Sequence, residues 1–151
     1  MIAAIFILTA CSEKDNIDYF STKEEALEHF VEIGNIIGNI DLITTTNDEK
    51  LLVTQSSENT YFVGELVEDK KGYYTTRISD NVEMVLGGGW ELNTIDNNDY
   101  TIYFEKNKED LNYIQLSNGE YNILLVEGHT ISKNTLPLTS VIKEAETVKD
   151  K

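Results

Sequence analysis

Few side chains in this chain are equipped for chemistry, and their spacing limits what they could do together. There is one cysteine, Cys11, and there are two histidines, His29 and His129. Cys11 stands in "ILTACSEKDN", where an apolar run and two small residues give way abruptly to charged chain. One thiol cannot close an internal disulfide, so the fold must hold by packing alone. His29 lies one helical turn after Glu25, the spacing of an ordinary side-chain pair. His129 follows a strand pattern in "VEGHTIS", close to Glu127. A zinc or acid/base site at either histidine would need further ligands gathered by folding, and with no cysteine to spare these would be carboxylates.

The remaining motifs each have a functional and a plain reading. In "GGGW", Gly87 to Trp90, the glycines could take positive φ or approach a ligand closely, with Trp90 as a stacking surface. The plain reading is a turn or bulge leading into a strand, with Trp90 in the core. No Gly-Lys-Ser/Thr follows, so this is not a phosphate loop. Asp96-Asn97-Asn98-Asp99 offers oxygen ligands without the glycine and distant glutamate of a calcium loop, and reads as a turn. The Gly-x-Ser-x-Gly pattern of a serine hydrolase is absent. A pair of hydrolytic carboxylates could be drawn from 27 acids in many ways, so no pair stands out. Trp90 and His129 are therefore where a ligand would be sought, and no catalytic set, metal site or cofactor is expected.

The front of the chain is more specific. Ile2 to Leu8 is an apolar stretch of seven residues, too short to cross a bilayer core of ~30 Å as a helix. It suits the hydrophobic heart of a secretion signal. Leu8-Thr9-Ala10-Cys11 resembles the lipobox of bacterial lipoproteins, in which Leu, a small or polar residue, and Ala or Gly precede Cys. The resemblance implies a diacylglyceryl group on the Cys11 thiol, cleavage between Ala10 and Cys11, and an extracytoplasmic lipid-anchored protein. Only a thiolate among side chains is nucleophilic enough to form that thioether readily. No charged side chain precedes Glu13, whereas such signals begin with Lys or Arg, which points to a start upstream of Met1. Residues 1–10 are thus read as signal and 11–20 as a lipidated tether reaching at most ~30 Å. Richness in Asn, Ile, Lys and Glu, with Arg77 the single arginine, resembles chains of low-GC Gram-positive bacteria.

The body, residues 21–151, must supply the rest. It is long enough for one domain with a real core. Twelve basic against 27 acidic residues give a net charge of −15, which repels phosphate backbones and argues against a nucleic-acid partner. It equally disfavours a polybasic grip on anionic lipid.

"STKEEALEHFVEIGN" predicts a helix. Ser21/Glu24 and Thr22/Glu25 are two frames of a capping box, Ala26, Leu27, Phe30, Val31 and Ile33 form the apolar stripe, and Gly34-Asn35 is a stop. "KLLVTQ", "TYFVGELVE" and "GYYTTRIS" read as successive antiparallel strands, and "WELNTI" with "YTIYFEK" as a hairpin across residues 96–99. In "LNYIQLSNGEYNILLV" the pair Asn118-Gly119 predicts a type I′ turn, setting Leu116 opposite Tyr121 and Ile114 opposite Ile123. Val141, Ala145 and Val148, following Pro137, predict a closing helix. The expected class is α+β: an N-terminal amphipathic helix packed on an antiparallel sheet of hairpins, with a short C-terminal helix.

An anchor and a body without catalytic pattern together point to a non-enzymatic binding or accessory module of the cell envelope, engaging an envelope protein or peptide. The alternatives are an envelope hydrolase using carboxylates near His129, and a structural subunit of an envelope complex.

Overall fold

Helix α1, Lys23–Gly34, begins where the sequence offers two capping frames and uses the second. The Thr22 side chain accepts from the Glu25 backbone N–H, and the Glu25 carboxylate accepts in return from the N–H groups of Ser21 and Thr22. Asn35 closes the helix in the left-handed conformation. The computed structural model that shows this describes residues 16–133 and 138–151. Cys11 and the whole lipobox lie outside the described residues, as does Pro137.

Among the described residues ten strands follow: β1 Ile40–Thr45, β2 Lys50–Ser57, β3 Thr60–Asp69, β4 Gly72–Arg77, β5 Val82–Glu83, β6 Gly88–Asn93, β7 Asp99–Glu105, β8 Ile114–Gln115, β9 Asn122–Glu127 and β10 Ile142–Lys149. They form two antiparallel sheets. The first runs β10-β1-β2-β3-β4, with β5 also pairing β3; the second runs β6-β7-β9-β8. Alternating side chains sort the first sheet's residues between its two faces. Ile43, Leu51, Val53, Tyr61 and Val63 turn inward against Leu92, Tyr100, Ile102, Phe104, Tyr121 and Ile123 of the second sheet region. Ile40, Leu42, Leu52, Phe62 and Leu66 turn outward beneath Ala26, Leu27 and Phe30 of α1. The order of layers is helix, sheet, sheet. Gly64 permits the outer contact: a Cβ there would lie 2.8 Å from the Phe30 ring.

The class expected from sequence needs correction. The described residues are predominantly antiparallel β with one short helix, and residues 142–149 are strand β10 instead of a closing helix. The spacing of Val141, Ala145 and Val148 fits a helix, but Ile142, Glu144, Glu146 and Val148 also alternate. Strand β1 decides between the two patterns. All six of its residues are buried, and its backbone needs a partner on the side away from β2; β10 supplies it, from Ile40↔Lys149 to Thr45↔Ile142.

The hairpin around Asn118-Gly119 has the expected register, with Ile114 opposite Ile123 and the Leu116 N–H donating to the Tyr121 carbonyl. The turn is of another type. Only Gly119 of the pair takes positive φ, 74°, whereas type I′ requires it at both positions.

Candidate functional site

A concavity of about 700 Å³ opens at the end of the sandwich where the β2–β3 and β8–β9 turns meet the segment leading into β1. Its walls are amides and hydroxyls: Asn39, Gln55, Ser57, Ser117 and Asn118, with Glu120 and Asp150 at the rim. Asn39 is buried because it is used on several sides. Its Nδ2 donates to Ser117 Oγ at 3.0 Å, its Oδ1 accepts from the Lys151 N–H at 3.1 Å, and its carbonyl accepts from the Gln55 N–H at 3.0 Å. Asp41, one residue into β1's inner face, accepts from Ser117 Oγ at 2.9 Å and from the Ser117 N–H at 3.2 and 3.3 Å. Burial pushes the Asp41 carboxyl up from its usual range, while these bonds from Ser117 pull it back. Asn118 Nδ2 donates to the buried Tyr61 hydroxyl. The cleft is thus a preformed, polar surface fixed by both sheets. Ser117 meets a carboxylate but no histidine, so the arrangement suits hydrogen-bonded recognition better than nucleophilic attack.

Trp90 and His129, the two residues singled out in the sequence, are not in this cleft. Trp90, on β6, is half-buried and stacks on Phe104, with ring centroids 5.1 Å apart and planes 25° from parallel. Its indole N–H is buried without a hydrogen-bond partner. The preceding glycines are required by the backbone. Gly87 has φ 91° and Gly88 φ 144°, and a Cβ on Gly89 would meet the Tyr103 ring at 2.8 Å.

His129 sits at the margin of the second sheet. Its Nδ1 is 3.5 Å from Glu91 Oε2, and its Nε2 is 3.8 Å from Asp99 Oδ1 and 3.3 Å from the Leu92 carbonyl. Glu127, the acid nearest in sequence, is not among these contacts. The partners come from β6 and β7, which only folding brings near. Glu91 Oε1 also accepts from the Ile131 N–H, and Thr130 bonds Thr101 and Tyr103, so the cluster staples residues 128–131 to the sheet. Among the described residues no group of three or more His, Cys, Asp or Glu could hold a metal ion. His29 lies against the Phe20 ring and 3.4 Å from Asp18, instead of pairing with Glu25.

At the opposite end of the sandwich is a buried acid pair that the sequence reading missed. Glu49 Oε1 accepts from the Tyr100 hydroxyl at 2.6 Å and from Asn98 Nδ2 at 3.1 Å; its Oε2 is buried without a partner. Glu65 accepts from the Ile95 N–H at 2.9 Å. Burial pushes the Glu65 carboxyl up to about 7; the Ile95 bond opposes this, and the nearby Glu49 and Asp96 charges add to it. The sequence held one clue, an acid at an inward-facing position of the pattern "YFVGELVE".

Comparison of the chain with protein-family models, with curated proteins and with solved structures finds no match.

Proposed function

We propose that this protein is a lipid-anchored, non-enzymatic binding module on the extracytoplasmic face of a cell membrane, presenting the polar cleft between its turns to an envelope protein or peptide. The observation that carries the reading is Leu8-Thr9-Ala10-Cys11, a small-residue cleavage pattern ending on the chain's one thiol and followed by a polar stretch. A second acyl chain would make such an anchor stable, because each buried methylene contributes roughly 0.8 kcal/mol. The cleft supports the binding half of the reading: the amides and hydroxyls of its walls stand on strands and turns, with charged Glu58, Glu120, Asp150 and Lys151 beside them, and suit amide ligands. A hydrolase centred on His129 has less support. That histidine and its two carboxylates staple a surface segment, and it lines neither the polar cleft nor any of four further concavities among the described residues.

Cys11→Ser tests the anchor in the native host. The expected result is loss of the protein from the membrane fraction, with the body still folded by circular dichroism. Mass spectrometry of the wild-type N-terminus should show a diacylglyceryl cysteine as the first residue. An unmodified Cys11 would defeat the proposal.

A further inference from the structure

A second concavity, about 670 Å³, runs along the outer face of the first sheet between α1 and β10. It exists because one helix cannot cover five strands. Five strands about 4.8 Å apart span roughly 19 Å, and a helix with its side chains is about 10 Å across. Helix α1 lies over β3 and β4, and Ile40, Leu42 and Leu52 of β1 and β2 are buried with it, so the strand left uncovered is β10 at the edge.

The floor of this groove is apolar, made by Leu27 and Val31 of α1 and Val148 of β10. Its rim is acidic. Glu24, Glu28 and Glu32 form a row at four-residue spacing, all exposed and, among the described residues, without an ion-pair partner. Like charges at that spacing weaken a helix, so the row works against the fold that carries it. Farther along β10, beyond the groove's lining, Glu144 pairs with Thr44 in register and Glu146 with Leu42, which puts both on the helix side of the sheet. The cations nearby pair with other groups than the glutamate row, although Lys149 also lines the groove. Lys149 Nζ donates to the carbonyls of Ile37 and Gly38 at 3.3 and 3.1 Å, Lys143 pairs with Asp48 at 2.7 Å, and Lys23 with Glu146 at 3.5 Å.

We propose that this groove receives a cationic amphipathic helix of a partner protein, its apolar stripe on Leu27, Val31 and Val148 and its Lys or Arg side chains over the glutamate row. The strip over β10 lies open alongside α1, and charge complementarity names the sign of the partner. A second copy of this chain would bring acid against acid. The inference requires neither the lipid anchor nor the polar cleft.

The test uses the full chain and a fluorescein-labelled synthetic peptide of about five helical turns, with a Leu stripe flanked by Lys. A scrambled peptide of the same composition and charge is the comparison, and binding is read by anisotropy. Glu28→Lys with Glu32→Lys should weaken binding about tenfold or more, while Glu109→Lys with Glu127→Lys, the same charge change away from the groove, should alter it less than about threefold. Circular dichroism confirms that both variants fold. Equal weakening by the two pairs, equal binding of the scrambled peptide, or no binding at all would overturn the proposal. So would a dimer, seen by sedimentation, that Glu28→Lys with Glu32→Lys dissociates, since the occupant would then be a second copy.

Discussion

The two ends of the inter-sheet space each bury a carboxylate from the first sheet, and each uses it to hold a turn of the second. Asp41 holds the β8–β9 turn through Ser117, and Glu65 holds the β6–β7 turn through Ile95. The difference lies in what each acid receives. Asp41 takes both the hydroxyl and the backbone N–H of Ser117, which restrain the upward push of burial. Glu65 takes one backbone N–H, beside two other acids, and its carboxyl rises to about 7. The supply of donors and the charges alongside, more than depth, distinguish how burial acts on the two carboxyls.

The sharpest way to break this comparison is to remove the well-supplied acid. Asp41→Ala leaves the Ser117 N–H and hydroxyl without their acceptor and should cost about 2–3 kcal/mol in urea unfolding at pH 7. A loss below about 0.5 kcal/mol would mean that the Ser117 tie carries no weight.

Glu65→Gln should act in the opposite direction. The folded state keeps the Glu65 proton up to about pH 7, whereas the unfolded chain releases it near 4.5. Between those values folding takes up a proton, so stability falls as pH rises and stays low above the folded value. The slope from this group is at most about 1.4 kcal/mol per pH unit. The amide removes the charge and still accepts from Ile95. It should therefore stabilise the protein by about 1–3 kcal/mol at pH 8, leave pH 4 unchanged and flatten the decline between. Thermal unfolding across that range reads the effect, and a destabilised variant at pH 8 would refute the assignment.

The smallest effect belongs outside both ends. His129→Ala removes partly exposed contacts with Glu91 and Asp99 and should cost about 0.5 kcal/mol or less, with faster amide exchange confined to residues 128–131. A loss matching Asp41→Ala would erase the distinction between buried and exposed ties.

What the sequence made legible follows locality. The α1 cap, the β2–β3–β4 meander and the Ile114–Ile123 register depend on residues a few positions apart, and their patterns are intact in the structure. β1 and β10 were missed together, and each explains the other. In β1, Asp41 and three threonines in and beside the strand blur the apolar run, although its residues are buried on both faces. β10 is mostly exposed and charged because it is an edge, so alternation there carries no burial signal. The polar cleft was illegible for the same reason. Asn39, Gln55 and Ser117 are ordinary turn-flanking residues until pairing brings them together. Trp90 and His129 stood out by type alone, and the carboxylates beside His129 come from about 30 and 40 positions earlier in the chain, beyond any local pattern.

Pairing β1 with a strand roughly a hundred residues downstream also sets a timetable. As the polypeptide emerges amino end first, β1 can zip to β2 at once but must wait, one side bare, for the last strand to arrive. A nascent chain stalled before residue 142 would offer that bare side to chaperones or to its own neighbours. The late strand is thus the latch by which the sheet registers that synthesis has passed it.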